Sequence, residues 1–294
     1  MSATSAVLYD HPGPRARVRN RVLTVVFAVG AAALLWYIYV QFDAKDQWAA
    51  DLWKPFVQPA TWTDFILPGL WGTLTAAGVG MVLALAFGVI FSVGRLSDHK
   101  WLSLPAGAVV EFCRAVPLLL MIFFLSYGVP FLIEAPFPAF WAVVVGLTLY
   151  NGSVLAEAFR AGVRAVPSGQ AEAGYALGLR KSQVMGHILI PQAARSMLPV
   201  IVSQLVVLLK DTALGYIIAY PELIQQGVNV LSANYGNVLQ AAIVIAIIYI
   251  AINSVLTWFA GWLDRRMMRQ GRTTVRITAV EDGDEHGPGL NLVR

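Results

Sequence analysis

The chain has 294 residues, 57% of them hydrophobic and 13% charged, with a formal net charge of +4. A soluble domain carries roughly 25% charged residues, so this composition excludes an ordinary water-soluble globule and points to lipid. A single cysteine excludes an internal disulfide. Four histidines without a His/Cys cluster give no expectation of a metal site, and without a Walker-type Gly-rich loop the chain itself is not expected to bind ATP.

Residues 1–21 read as a polar tail, disordered to about residue 20. The first apolar run, 22–40, follows Arg15, Arg17, Arg19 and Arg21. It exceeds the usual 7–15-residue apolar region of a signal peptide and no small-x-small cleavage site follows closely, so it reads as a retained helix. Runs of about 20 apolar residues can cross a bilayer. Five more follow, at 66–94, 108–133, 138–158, 196–219 and 238–262. The expected fold is therefore an all-α membrane protein of about six transmembrane helices. Cys113 reads as a packed intramembrane thiol, and Pro117 and Pro199 as kinks in the third and fifth spans. Residues 266–294 form a polar tail, with disorder expected from about 270.

Charge sets the expected orientation. With the N-terminus in the cytoplasm, Arg95, Lys100, Arg160, Arg164, Arg180, Lys181, Arg195 and Arg265 fall inside with the N-terminal arginines. The outer segments keep only Lys45 and Lys54, with Asp43, Asp46, Asp51, Asp64, Glu134 and Glu222. Both termini and the stretch 159–195 are then cytoplasmic, and the positive net charge reflects topology with no nucleic-acid partner implied.

That stretch is the most polar interruption between two spans. Ser168 reads as an N-cap, and Glu172 sits early in a helix, where the dipole favours a carboxylate. Ala171, Ala173 and Ala176 are strong helix formers, and Gly178 reads as the stop. A second short helix is expected from about Lys181 to Leu189, ended by Pro191. Such a module is either a docking hook for a soluble partner or an amphipathic connector at the headgroups.

Glu172-Ala173-Gly174, then Gly178 after three residues, then Ile188-x-Ile190-Pro191 after nine more, resembles the EAA loop of bacterial ABC importer permeases. The chain departs from that pattern at Gly174, where alanine is usual, and at Ile190, where leucine is common. Glu111 to Leu119, Leu149 to Gln170, Pro191-Gln192-Ala193 and Lys210-Asp211-Thr212-Ala213-Leu214 are similar to the polar amino acid branch, the histidine/glutamate/glutamine type. The likeness covers about residues 64–262, so a permease domain is expected over 64–265, with 22–63 an added helix and external loop. The resemblance implies a five-helix core in the bacterial inner membrane. It implies a second permease subunit, related or identical, and cytoplasmic ATP-binding subunits that hold ATP and Mg. It also implies an extracellular or periplasmic amino acid-binding protein, and a polar amino acid as cargo, glutamate, glutamine or aspartate foremost. Glu172, Ala173, Gly174, Gly178, Ile188 and Pro191 would couple to the ATPase.

Lys210 and Asp211 lie inside an apolar run. Each charge at a helix centre costs about 2.5–3.5 kcal/mol on insertion scales. They and Thr212 either line a substrate pathway or bridge to other spans; at about 100° apart on a helix the two charges are not expected to pair with each other. Glu111 and Arg114 are spaced i,i+3, as are Glu157 and Arg160. The first pair reads as a local bridge, with substrate contact as the alternative; the second anchors the module or meets the ATPase. Asn151, Ser203 and Gln204 are expected to bond across helix contacts. The main competing function is a secondary amino acid transporter driven by an ion gradient, which calls for inverted repeats and helices broken near the midplane. No such repeat is evident. A membrane scaffold without transport would leave Lys210 and Asp211 unexplained.

Overall fold

The computed structural model describes residues 13–271, all helix and short connections. The expected tail disorder at 1–12 and 272–294 lies outside the described residues. Between those limits the chain departs from expectation at the front. Helix α1, Pro14–Asp43, begins six residues before the predicted end of disorder, with Pro14 in its first turn. Proline fits there because its missing N–H would be unsatisfied anyway.

Helix α2, Pro59–Arg95, is the longest core span, and α5, Ala139–Arg164, packs against it. The two approach closely because small residues face each other. A Cβ on Gly88 would lie 2.9 Å from the Leu155 Cβ, and one on Gly152 would lie 3.1 Å from the Ala84 carbonyl oxygen. In lipid, where no hydrophobic gain separates helix from tail, such backbone proximity and its dispersion contacts hold helices together. Around this seam Ala76, Ala84, Val144, Leu147, Leu155 and Leu208 are fully buried.

The predicted third span is broken in two. Helix α3, Lys100–Ala115, and helix α4, Leu118–Ile133, meet at 99°. Val116 is extended (φ −81°, ψ 127°) because the ring of Pro117 forbids the helical conformation to the residue before it. Cys113 is buried at the end of α3.

Helix α6, Ser168–Ala176, follows α5. Pro167 occupies the cap position with no side-chain bond, so Ser168 is the first helical residue and not the N-cap. Helix α7 runs without a break over 181–211. Pro191 was expected to end a short helix here. Instead a wide turn at Val184–Leu189 precedes Ile190 and Pro191 and carries the helix through. Such π-type turns shift the bonding register and relieve the ladder of the proline's absent N–H. After α7 come a 3₁₀ segment, Thr212–Ile218, a helix α8 at 223–235 and the final helix α9, Val238–Gly271. Helix α8 was not anticipated; its residues were read as external loop. Among the described residues, five helices are long and apolar enough to cross a bilayer, or six when the bent α3–α4 pair counts as one span.

Helix α1 stands apart. None of its residues is buried, and its apolar residues show on every side, as Val22, Phe27, Leu35 and Trp36 illustrate. Its far end is tied down through the following loop. Asn237 donates to the Leu52 carbonyl at 3.0 Å, and Gln240 donates to the Gln47 carbonyl.

Candidate functional site

At one end of the bundle α6 lies across the start of α7. Gly174 is its buried residue. A Cβ there would sit 2.9 Å from both the Ile188 Cδ1 and the Val184 Cγ2. The departure from alanine thus has a steric reason: two branched side chains of α7 occupy the space a methyl group would need. With Gly174 turned inward, Glu172, Ala173, Tyr175, Ala176 and Leu177 are exposed. Leu177 is 82% exposed, unusual for a leucine with a core available nearby. Gln192 donates to the Gln170 side-chain oxygen at 3.4 Å, a further tie between α6 and α7.

Two complementary bonds close α6. The Gly178 N–H donates to the Tyr175 carbonyl at 2.9 Å, and the Leu179 N–H donates to the Gly174 carbonyl at 3.1 Å. These are the paired bonds of a Schellman cap, and they require Gly178 at φ +79°. The Gln183 side-chain oxygen then accepts from the Arg180 N–H at 2.9 Å and starts α7. A Cβ at Gly178 would meet nothing within 4 Å, so Gly178→Ala carries only the left-handed penalty of about 1–2 kcal/mol. Its expected signature is faster amide hydrogen exchange confined to α6 and the following turn, with unchanged global unfolding.

A charge cluster supports this end. Arg95 at the foot of α2 reaches Glu111 of α3 at 3.2 Å and Glu157 of α5 at 3.1 Å, and Arg160 pairs with Glu157. The i,i+3 pair expected for Glu157 and Arg160 forms. Glu111 instead reaches between helices, because the bend at Val116 and Pro117 swings α3 toward the ends of α2 and α5. Arg114 is exposed and adds its charge to the field at Glu157. Lys181, the first residue of α7, pairs with Asp98 in the α2–α3 turn.

Further along the bundle three polar side chains meet inside the apolar core. The Gln204 amide of α7 donates to the Asn151 side-chain oxygen of α5 at 2.6 Å, and the Asn151 amide donates to the Asp211 carboxylate at 3.5 Å. Asn151 is completely buried. The expected cross-helix bonding of Asn151 and Gln204 is present. Lys210 and Asp211 diverge as predicted: Lys210 faces an open cavity of about 780 Å³, shared with Tyr249, Asn253, Ser254 and Thr257 of α9. Thr212 is buried and donates to the Leu209 carbonyl at 2.7 Å, joining α7 to the 3₁₀ segment. Of the five tentative pathway residues, Lys210, Asp211 and Thr212 gather here, whereas Glu111 and Arg114 belong to the charge cluster.

Glu222 was passed over as an external loop carboxylate. It is fully buried. Its carboxylate accepts the Ile224 and Gln225 N–H groups at 2.9 and 2.7 Å, capping α8, and also the Tyr249 hydroxyl at 3.0 Å. Thr73 of α2 accepts the Leu223 N–H at 3.0 Å, and Tyr220 donates to the Gly72 carbonyl at 2.8 Å. A carboxylate just after Pro221 and before an apolar-polar stretch was the available signal for a helix start.

Residues 80–269 match the family of binding-protein-dependent transport system inner membrane components. The chain belongs to this family. Among relatives of this permease, the glutamate transport system permease protein GluD of Corynebacterium glutamicum is 44% identical over 242 residues, 81% of this chain and 87% of that protein. The probable glutamine ABC transporter permease protein GlnP of Bacillus subtilis is 36% identical over 205 residues, 69% of this chain and 93% of its own length. A crystal structure of an amino acid ABC transporter with histidines superposes with a TM-score of 0.67 at 27% identity, covering 72% of this permease and 98% of that chain. A chain in the crystal structure of a bacterial ABC transporter involved in the import of the acidic polysaccharide alginate shares the fold at a TM-score of 0.55 and 14% identity, covering 85% of this chain and 99% of that one. Family members of this kind work with ATPase and binding-protein partners.

Proposed function

We propose that this permease subunit carries a polar amino acid, glutamate or glutamine foremost, into the cell by alternating access. Cytoplasmic ATPase subunits that hold ATP and Mg would drive it through α6. The observation that carries this reading is the outward face of α6: a carboxylate, two alanines, Tyr175 and Leu177 stand exposed on a helix whose Gly174 is locked onto α7. A helix held rigidly on one side and bare on the other suits a lever seated in a partner's groove. The basic residues flanking that end support its placement in the cytoplasm, with both termini there and the chain in the inner membrane. A second permease subunit, identical or related, would complete the pathway, and a binding protein would deliver the amino acid from the other side. Closure of the ATPase pair would move α6, and with it the start of α7 and the inner turn held by Lys181 and Asp98. The spans would then rock between inward- and outward-open states.

The cargo would pass the cavity that Lys210 lines with Tyr249, Asn253, Ser254 and Thr257. An ammonium among hydroxyl and amide groups on an open cavity suits a carboxylate. The names of the relatives support glutamate and glutamine. Two measurements test the reading. An ATPase should co-purify with the chain, and uptake should require ATP with no proton or sodium gradient; gradient-driven uptake would instead favour the secondary transporter. Lys210→Met should raise the apparent KM for glutamate by about tenfold or more, since a hydrogen bond to a charged group is worth about 1.5–3 kcal/mol. Unchanged affinity and rate would remove Lys210 from the pathway.

A further inference from the structure

A second cavity, of about 800 Å³, lies between α2, α5 and α7 at the α6 end of the bundle. Its walls are Val89 and Val93 of α2, Phe159 of α5, and Ile190, Met197 and Ile201 of α7. It is elongated along the helices: from Leu85 to Leu96 the α2 wall rises about 16 Å at 1.5 Å per residue. Apart from Ser92, whose hydroxyl donates to the Val89 carbonyl at 2.9 Å, its polar groups gather at the lip, where Ser97, Asp98, His99, Lys181 and Ser182 meet. Val89, Val93 and Ile190 are 51%, 57% and 43% exposed, so the cleft opens sideways to whatever surrounds the bundle.

An apolar cleft of this size does not fill with ordered water, which needs several polar partners. A zwitterionic amino acid would lose its hydration there without compensation. Val89 and Val93 lie within α2, a helix long and apolar enough to cross a bilayer, so this wall would meet the hydrocarbon of one leaflet and the charged lip at the end of that span would meet its headgroups. Lys181 gives one donor to Asp98 and one to the Leu96 carbonyl at 3.4 Å. An ammonium has three donors. Lys100 and Arg180 adjoin the lip in sequence, and basic pockets between membrane helices on the cytoplasmic side attract anionic headgroups.

We infer that this cleft is a binding site for a single anionic phospholipid of the inner leaflet, an acyl chain between α2 and α7 and its phosphate beside Lys181. The lipid would fill the space between the helices that carry the charge cluster and the coupling helix. This goes beyond transport itself and holds whichever amino acid is carried; the choice of the inner leaflet rests on the cytoplasmic placement of α6 proposed above.

The test uses the full chain in its assembled transporter, purified in mild detergent and supplied with phosphatidylglycerol or phosphatidylcholine, and read by native mass spectrometry. Wild type should retain phosphatidylglycerol in preference to phosphatidylcholine. Gly186→Phe and Ala194→Trp place bulk in the cleft; a Cβ on Gly186 meets nothing within 4 Å. Each should lower phosphatidylglycerol retention by about tenfold or more, and Lys181→Gln should erase the preference for the anionic lipid. Wild-type retention in folded plugged variants, or equal retention of both lipids by wild type, overturns the site. Should both plugs fail to fold, p-benzoylphenylalanine in place of Val89 decides. A phospholipid adduct in excess of that from the same group at Phe131, which is 84% exposed elsewhere on the surface, supports the site. A polypeptide adduct, or no excess, contradicts it.

Discussion

Glu172→Lys is expected to leave the chain inserted and folded while uptake falls by more than about tenfold. Glu172 is exposed on α6, and exposed substitutions away from caps and buried contacts shift stability by only about 0.5 kcal/mol. In the proposed docking, the partner's groove would meet an ammonium where it now meets a carboxylate. A like-charge or unpaired contact of that kind costs several kcal/mol at an interface, and each 1.4 kcal/mol is about tenfold in an equilibrium. The check is uptake of labelled glutamate in cells, alongside membrane abundance of the chain and co-purification of the ATPase. Normal uptake at normal abundance would remove Glu172 from the coupling contact.

Glu222→Ala acts by a different route. It strands two backbone N–H groups at the start of α8 and the Tyr249 hydroxyl, all of which now donate to one carboxylate. Each buried group left unsatisfied costs about 1–3 kcal/mol. The expected loss is therefore about 3 kcal/mol or more, seen as a lower apparent Tm in detergent and poor membrane yield. Tyr249→Phe removes one donor and leaves the cap intact, so it should cost only about 1 kcal/mol. If Glu222→Ala melted with Tyr249→Phe or above it, the cap would not be holding α8.

How much of this was legible in the sequence depends on what each feature rests on. Apolar run length gave the spans, because crossing hydrocarbon sets a minimum that a chain either meets or misses. The Gly178 stop was legible for a local reason: a left-handed residue after a short helix has few other solutions. Pro117 announced a kink, but its 99° size depends on what α3 packs against. Pro191 misled, since a wide turn elsewhere in the same helix absorbed the missing donor. Ser168 has the right chemistry for a cap and sits one residue too late, after Pro167. Glu222 was the largest omission. A charge in a loop reads as solvated unless one knows that α2 and α9 close over it, and that depends on contacts 150 and 27 residues away. The Asn151–Gln204–Asp211 chain was half visible: each residue stood out within an apolar run, but their meeting is a matter of helix rotation.

The proposed role of α6 as a lever is tested most directly by ATP hydrolysis in reconstituted vesicles. Residues 172–178 are scrambled in an otherwise intact transporter, and hydrolysis stimulated by substrate-loaded binding protein is measured with uptake in the same vesicles. If α6 transmits the stroke, assembled complexes lose both the stimulation and the uptake while any basal hydrolysis persists. Stimulated hydrolysis and uptake at wild-type rates in the scrambled complex would contradict the account.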